Sequence, residues 1–388
     1  MKTIRFLALA CLTLTVSAAI QHSEQFGKTP PQPRKQLEKF IVNLDLPPEQ
    51  RWVDLVKEKK TSIKLLLDAL RLLFNTGKSK DTTQKIVAAV NSSLSDEHRR
   101  EMQGISDAIG APLSDCIMAN AYYEISGVSG AGFDAVARSC TSMAVQRANG
   151  TVFLARNQDY PPPFSLVQHH AIFQRGGKTL FEGTGFAGTI GLATGQVPGE
   201  WAVSINARGG ANSPDLPTAL KLAREGASLF PLATREAMEV NGGSMTTFSD
   251  ALSYFTSHNL IMPGYLIVAG KDPGQGAIVT RNSTAAAGGA DVFRLNNAHG
   301  TDEAGGKWYV VQTNTDHWVH ASNYPGFHTS RRATATAALD KITAADVDLD
   351  QLWSVLSTKP VYNAATIHTE LVAPAWGEYR TFKRHGPL

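Results

Sequence analysis

Two β-prone runs joined by turn residues constrain this chain more than any other feature. Cys140-Thr-Ser-Met-Ala-Val-Gln146 and Thr151-Val-Phe-Leu-Ala-Arg156 flank Arg147-Ala-Asn-Gly150, whose Asn-Gly pair is hairpin-turn material. A hairpin folded there carries Arg156 and Asp159 back beside Cys140. A thiol becomes a strong nucleophile only where something cationic favours its thiolate. The hairpin therefore gathers a nucleophile, a guanidinium and a carboxylate. Taken alone, a cysteine is more often an ordinary buried residue, and Arg156 with Asp159 could form a plain structural ion pair.

With 43% hydrophobic and 18% charged residues among 388, the chain can bury a substantial core. A formal charge of +3, evenly spread, gives no argument for nucleic acid as a partner. A basic start at Lys2 and Arg5, an apolar run over residues 6–16 and small residues at Ser17-Ala-Ala19 read as a secretory signal over residues 1–19. The apolar run is too short to span a bilayer. Sequons at Asn91, Asn149 and Asn282 are candidate glycosylation sites on the same route, giving an expected lysosomal or extracellular location. With Cys11 in the signal, only Cys116 and Cys140 remain, and a disulfide between them would consume the candidate nucleophile. Cys116 lies in a helical apolar pattern and is expected to be a buried small hydrophobe.

Residues 36–126 read as mostly helical, and Gly127-Val-Ser-Gly-Ala-Gly132 breaks that pattern. Beyond Cys140 the chain turns β-rich, as in Trp201-Ala-Val-Ser-Ile-Asn206 and Tyr265-Leu-Ile-Val-Ala-Gly270, with helices near 217–225, 247–257, 331–343 and 350–357. The most apolar helix lies between Leu65 and Phe74, with Lys59, Lys60, Lys64, Arg71, Lys78 and Lys80 in and around it. It reads either as a core helix or as a surface that dips into a membrane or micelle. Gly183-Thr-Gly185-Phe-Ala-Gly188 has the dinucleotide-binding spacing, but a β-like run follows where a helix should open. His169-His170 and His317 with His320 lack a helical ligand set with a carboxylate. Neither a cofactor nor a metal is expected.

Longer strings point to a named family. Cys140-Thr-Ser, Arg156-Asn-Gln-Asp159, Gln312-Thr-Asn314-Thr-Asp-His-Trp318 and Arg331-Arg332 together resemble the acid ceramidase and N-acylethanolamine acid amidase family. These are N-terminal-nucleophile hydrolases, more distantly related to bile-salt hydrolases. Phe186-Ala-Gly-Thr-Ile-Gly-Leu-Ala-Thr-Gly195, Trp308-Tyr-Val-Val-Gln-Thr-Asn314 and Val355-Leu-Ser-Thr-Lys-Pro-Val-Tyr-Asn363 extend the likeness from about residue 40 to near the C-terminus. The resemblance implies one α+β domain, a four-layer αββα fold with a mostly helical N-terminal segment. It implies a precursor cut between Ser139 and Cys140 into a helical α-chain, residues 20–139, and a β-chain, residues 140–388, which stay associated.

Carried over residue by residue, the resemblance makes Cys140 the nucleophile that forms a thioester, its freed α-amine acting as base. Asp159 would hold the new ammonium, and Arg156 would favour thiolate and orient the amide. Asn314 and Asn206 would donate to the oxyanion, and Arg331 matches a further charged site residue. The implied substrate is an N-acyl lipid, N-acylethanolamine or ceramide or both, taken from a membrane or micelle without any cofactor. The Arg156–Tyr160 wording sits closer to the ethanolamide amidase and the 308–314 and 355–361 strings closer to acid ceramidase, so ethanolamides are placed narrowly first. Relatives tend to carry an acidic residue after the asparagine matched to Asn206, where this chain has Ala207. That departure leaves a catalytically impaired lipid binder of the same fold as an alternative, beside an amidase for soluble polar amides.

Overall fold

The computed structural model describes residues 34–74, 77–129, 140–208, 213–239, 247–283, 290–295, 305–306, 308–320 and 326–384. The expected signal, Ser139 of the expected cleavage bond and Thr284 of one sequon lie outside the described residues.

β2 (Cys140–Gln146) and β3 (Val152–Asp159) pair antiparallel, with Gln146 opposite Val152 and Cys140 opposite Gln158. Gly150 closes the turn at φ 94°, a conformation that suits a residue without a Cβ. The hairpin forms the middle of a six-stranded sheet. β11 (Gly305–Gly306) and β12 (Tyr309–Gln312) extend it beyond β2, while β13 (Thr366–Ala373) and β14 (Glu378–Lys383) extend it beyond β3.

An eight-stranded sheet lies against it. Its strands are β1 (Lys39–Asn43), β4 (Gln168–Arg175), β5 (Lys178–Phe186), β6 (Thr194–Val197), β7 (Trp201–Ala207), β8 (Gly264–Gly270), β9 (Gly276–Arg281) and β10 (Ala290–Arg294), in that spatial order. β1 corrects the expectation of helix from residue 36. Its Phe40-Ile-Val42 core is β-prone, and it joins the edge of the sheet parallel to β4. The Gly183–Gly188 spacing lies largely within strand β5.

Strand alternation builds the layers. Met143 and Val145 of β2 pack outward on α9 (Phe327–Leu339) and α10 (Leu349–Leu356), among Ala335, Leu339, Leu352 and Leu356. Ala144 points the other way and joins Val152, Leu154, Ala202, Ile267 and Ile278 between the sheets. On β7 the odd residues Trp201, Val203 and Ile205 face the remaining helices. The order is thus helix, sheet, sheet, helix, a sandwich whose two inner faces share one filling.

The helical layer on the larger sheet contains α1 (Val53–Phe74), α2 (Gly77–Ser93), α3 (Asp96–Ile109), α4 (Leu113–Asn120), α5 (Tyr122–Ser129), α6 (Leu216–Arg224), α7 (Phe230–Glu239) and α8 (Phe248–Ser257). On α1 the buried residues Ile63, Leu66, Leu67, Leu70 and Phe74 recur at helical spacing. Leu65 and Leu72 stay exposed. α7 escaped the sequence reading because its apolar and charged positions are both largely buried. Its Arg235 donates to both oxygens of Glu101 on α3, at 2.5 and 2.8 Å, and Trp52 Nε1 and Arg51 Nη1 donate to the same carboxylate. Glu101 would be expensive to bury alone, and these donors hold its carboxyl below the ordinary range against the effect of burial. Cys116 is buried on α4, and burial pushes its thiol up to about 12.

Candidate active site

Cys140 opens β2 and, by the pleat, points between the sheets, where it is buried. Arg156 lies one strand away on the same inner face. Its Nη2 donates to Cys140 Sγ at 3.2 Å and to Ile205 O at 2.6 Å, and its Nη1 donates to Ala193 O at 2.7 Å and Thr194 Oγ1 at 2.6 Å. The guanidinium therefore bridges both sheets and is fixed by the opposite one. Burial pushes the Cys140 thiol up; Arg156 pulls it down without overcoming burial, while Asp159 adds to the upward push.

The main chain of Cys140 is held from the other side. Its nitrogen donates to Asn314 Oδ1 at 2.9 Å. Arg331, in the second turn of α9 and wholly buried, donates to Cys140 O at 2.7 Å and Thr141 Oγ1 at 2.9 Å through Nη1. Its Nη2 reaches the same Asn314 oxygen at 2.8 Å. Arg332 instead donates to the carbonyls of Thr315, Asp316 and Val319, a loop-holding role.

Asp159 ends β3. Thr366 Oγ1 donates to its Oδ1 at 2.6 Å, Asn363 Nδ2 donates to Oδ2 at 2.7 Å, and Arg331 Nη1 lies 3.7 Å from Oδ2. Burial raises its carboxyl to about 6, opposed by Arg331 and these two donors. The sequence reading assigned no role to Asn363 or Thr366. Asn363 does close the quoted 355–363 string, which is the signal that could have found it.

The two expected oxyanion asparagines are placed differently. Asn314 Nδ2 donates to Ala207 O at 2.8 Å. Asn206 Nδ2 donates to Gln312 O at 2.9 Å and Thr313 O at 3.3 Å, and Asn206 Oδ1 accepts from Ser142 Oγ at 2.8 Å. Both amide hydrogens of Asn206 are spent on the β12 end, so in the continuous chain it stitches β7 to the smaller sheet and presents no donor to a reacting carbonyl. Its neighbours Ile205 and Ala207 face the cavity, because alternate residues of β7 point to opposite faces.

That cavity encloses about 50 Å³ above Cys140. Arg156, Gln158 and Asn120 supply polar atoms, and Tyr122, Phe164 and Phe186 form much of the apolar wall. Tyr160 stacks on Phe186 with centroids 5.3 Å apart, and Phe164 meets Phe186 edge-on at 4.9 Å. Phe181 and Trp201 belong to the core. The arrangement is a buried thiol with an adjacent cation under an aromatic chamber, suited to attack on the carbonyl of an apolar acyl group. Among the described residues no group of His, Cys, Asp and Glu is placed to hold a metal ion.

Comparison with known proteins places this geometry. A family model described as the beta subunit of N-acylethanolamine-hydrolyzing acid amidase matches residues 35–95. Despite its description, that match falls inside the segment expected to form the N-terminal chain. Acid ceramidase of Mus musculus is 30% identical over 366 residues, covering 89% of this chain and 86% of its own length. Acid ceramidase of Homo sapiens is 27% identical over 410 residues, covering 98% and 97% respectively. Among solved structures, a Caenorhabditis elegans N-acylethanolamine-hydrolyzing acid amidase ortholog is 28% identical with a TM-score of 0.53. It aligns over 63% of this chain and 100% of its own.

Proposed function

Since this chain belongs to the acid ceramidase and N-acylethanolamine acid amidase family, we propose that it is an amide hydrolase that cleaves N-acyl lipids to fatty acid and amine with Cys140 as nucleophile. The observation that carries the reading is the 3.2 Å contact of Arg156 Nη2 with Cys140 Sγ at the floor of an aromatic chamber.

The proposed precursor cuts itself between Ser139 and Cys140, turning the Cys140 nitrogen into an α-amine beside Asn314 Oδ1. That amine takes the thiol proton as Sγ bonds to the acyl carbon. Arg156, already at the sulfur, offsets the developing charge. The proton passes to the leaving nitrogen as the C–N bond breaks, releasing the amine and leaving a thioester. Water, deprotonated by the same α-amine, then displaces Sγ and frees the fatty acid. Asp159 and Arg331 hold the start of β2, and Asn314 completes the anchorage. An oxyanion donor would come from Asn314 once its bond to Ala207 O is released; Asn206 is assigned the strand-bridging role.

The full-length likeness to acid ceramidases sets ceramide beside N-acylethanolamines as substrate. The exposed leucines Leu65 and Leu72, with Lys64 beside them on α1, supply apolar and cationic groups for transient contact with a lipid surface. No helix among the described residues is long and apolar enough to cross a membrane. We assign glycosylation to Asn91 and Asn149, which are exposed, ahead of Asn282, whose Oδ1 accepts from Arg208 Nη1 at 2.7 Å. Both sites suit a chain that travels the secretory pathway.

The test is purified protein incubated at acid and neutral pH, then given N-palmitoylethanolamine and N-palmitoylsphingosine in mixed micelles. A new N-terminus at Cys140 and palmitate release, both lost in Cys140→Ala, are the expected results. Full hydrolysis by Cys140→Ala sinks the nucleophile assignment. An intact, inactive wild-type chain is a stalled precursor or, if it still binds the lipids, a non-catalytic lipid binder on this fold.

A further inference from the structure

Behind Arg156, on the side away from Cys140, lies a buried carboxylate and imidazole that the proposed mechanism does not use. Glu370 on β13 stands directly opposite Arg156 on β3, so both side chains share the inner face of the sheet. Both residues are buried. Arg156 Nε has no hydrogen-bond partner among the described residues, and the Glu370 oxygens have no well-aligned donor, though His368 and Thr194 lie close enough to help hold the charge. A buried charge so weakly hydrogen-bonded needs an electrostatic partner nearby.

His368 lies two residues along β13, and its Nε2 is 3.0 Å from Glu370 Oε1. Its Nδ1 is 2.9 Å from Gln168 Oε1. Because Gln168 Nε2 donates to Ser165 O, the Gln168 oxygen is the acceptor and His368 Nδ1 carries the hydrogen. A neutral His368 would then set a bare nitrogen against a carboxylate. One proton, belonging to the pair as a unit, removes the clash. Burial works against the charged form of Glu370, but His368 and then Arg156 outweigh it and hold the carboxyl below its ordinary value.

We infer that Glu370 and His368 are a positioning pair that sets how much of the Arg156 charge acts on the Cys140 sulfur, and that a proton on the pair switches the site on. With the proton bound, the pair is neutral overall and Arg156 is the uncompensated cation beside Sγ, so thiolate is favoured. Without it, the Glu370 charge offsets Arg156 and the buried thiol keeps its proton. Other titratable groups surround the three: Cys140 from β2 and Tyr160 just past β3 act on Arg156, while from β14 Tyr379 faces Glu370 and Lys383 stands opposite His368. From the opposite sheet come Glu182 and His170, which form their own pair at 2.7 Å. None of these stands opposite Arg156 on the neighbouring strand as Glu370 does.

The inference rests on Cys140 being the nucleophile, and the test separates the two. We would measure kcat and KM for a fluorogenic N-palmitoyl amide from about pH 4 to about pH 8 in wild type, Glu370→Gln, Glu370→Asp and His368→Gln. Glu370→Gln removes the offset and should raise kcat at neutral pH towards its acid value, roughly tenfold if thiolate gains one pK unit. His368→Gln removes the imidazole that takes up the proton, so the rise in kcat on acidification should be lost from its wild-type pH range. Glu370→Asp should keep the wild-type profile, and KM should stay unchanged throughout. Opposite changes in the two neutral variants support the pair. Equal losses at every pH, or failure of both variants to fold, mark it as structural and overturn the inference. If Glu370→Gln alone fails to fold, His368→Gln decides. A wild type that neither matures nor hydrolyses the probe sinks the Cys140 assignment itself.

Discussion

The main-chain nitrogen of Cys140 donates to Asn314 Oδ1 at 2.9 Å, and the same oxygen also accepts from Arg331. One side-chain oxygen thus fixes the atom that the proposed cleavage would turn into a catalytic amine. Asn314→Ala should leave that amine without its acceptor and remove the candidate oxyanion donor. We expect hydrolysis to fall by roughly a hundredfold to a thousandfold, with slower appearance of the Cys140 N-terminus. Timed gels of precursor processing at acid pH, beside palmitate release from already processed protein, separate the two losses. Unchanged rates in both would remove Asn314 from the site.

Arg156 addresses four acceptors with the two terminal nitrogens of a planar fork. A lysine carries the charge on a single nitrogen and cannot span Ala193, Thr194, Ile205 and Cys140 together. Arg156→Lys should keep part of the electrostatic help but lose the orientation, costing roughly a hundredfold in kcat/KM. Substrate titrations with the variant check this. A variant within twofold or so of wild type would show that only the charge matters.

The sequence revealed the hairpin and its contents because β2 and β3 are adjacent in the chain and meet at an Asn-Gly turn. The alternation of small and branched residues in the 201–206 and 265–270 runs likewise marked β7 and β8. What stayed hidden depends on pairings between distant segments. Glu370 meets Arg156 only through the register of β13 on β3, and nothing near residue 370 advertises it. Asn206 was legible as a site-region residue, but its direction was not. The pleat puts Ala207 at the cavity and turns Asn206 towards β12, a choice set by tertiary packing. β1 was lost for a related reason, since five residues at a sheet edge carry little pattern within a helical third of the chain.

Two buried carboxyls favour the fold at acid pH, against the imidazoles of His169 and His328, whose lowered values favour it at higher pH. Glu124 on α5 accepts from Phe230 N at 2.8 Å through Oε1 alone, and burial raises its carboxyl from 4.5 to about 7. Asp159 is raised from 3.8 to about 6. A raised acid binds its proton more tightly when folded, so its contribution is present below the unfolded value and lost as pH climbs through the folded one. For Glu124 the window runs from 4.5 to about 7 and is worth roughly 3 kcal/mol. Glu124→Gln should therefore gain stability relative to wild type as pH rises through that window, read as the difference between their unfolding midpoints, because the opposite contributions of His169 and His328 cancel in the comparison. A difference that stays flat over the same range would contradict the assignment.

The last prediction concerns how the two proposed chains stay together. Glu101 would belong to the N-terminal chain and Arg235 to the C-terminal one, and their double hydrogen bond is buried on both sides. Arg51 and Trp52 keep the carboxylate oriented from the N-terminal chain's side. Removing the carboxylate leaves Arg235 in the interior with Glu239 as its remaining ion-pair partner. Glu101→Gln should therefore cost about 3–5 kcal/mol, and processed protein should come apart into two chains in size-exclusion runs where wild type stays whole. Joint replacement, Glu101→Leu with Arg235→Met, should recover only part of the loss, because it removes both charges of the pair but leaves Trp52 Nε1 without its acceptor and Arg51 and Glu239 each short of a partner. If the single variant stays associated and as stable as wild type, the apolar contacts of the helical layer suffice, and the ion pair then serves alignment only.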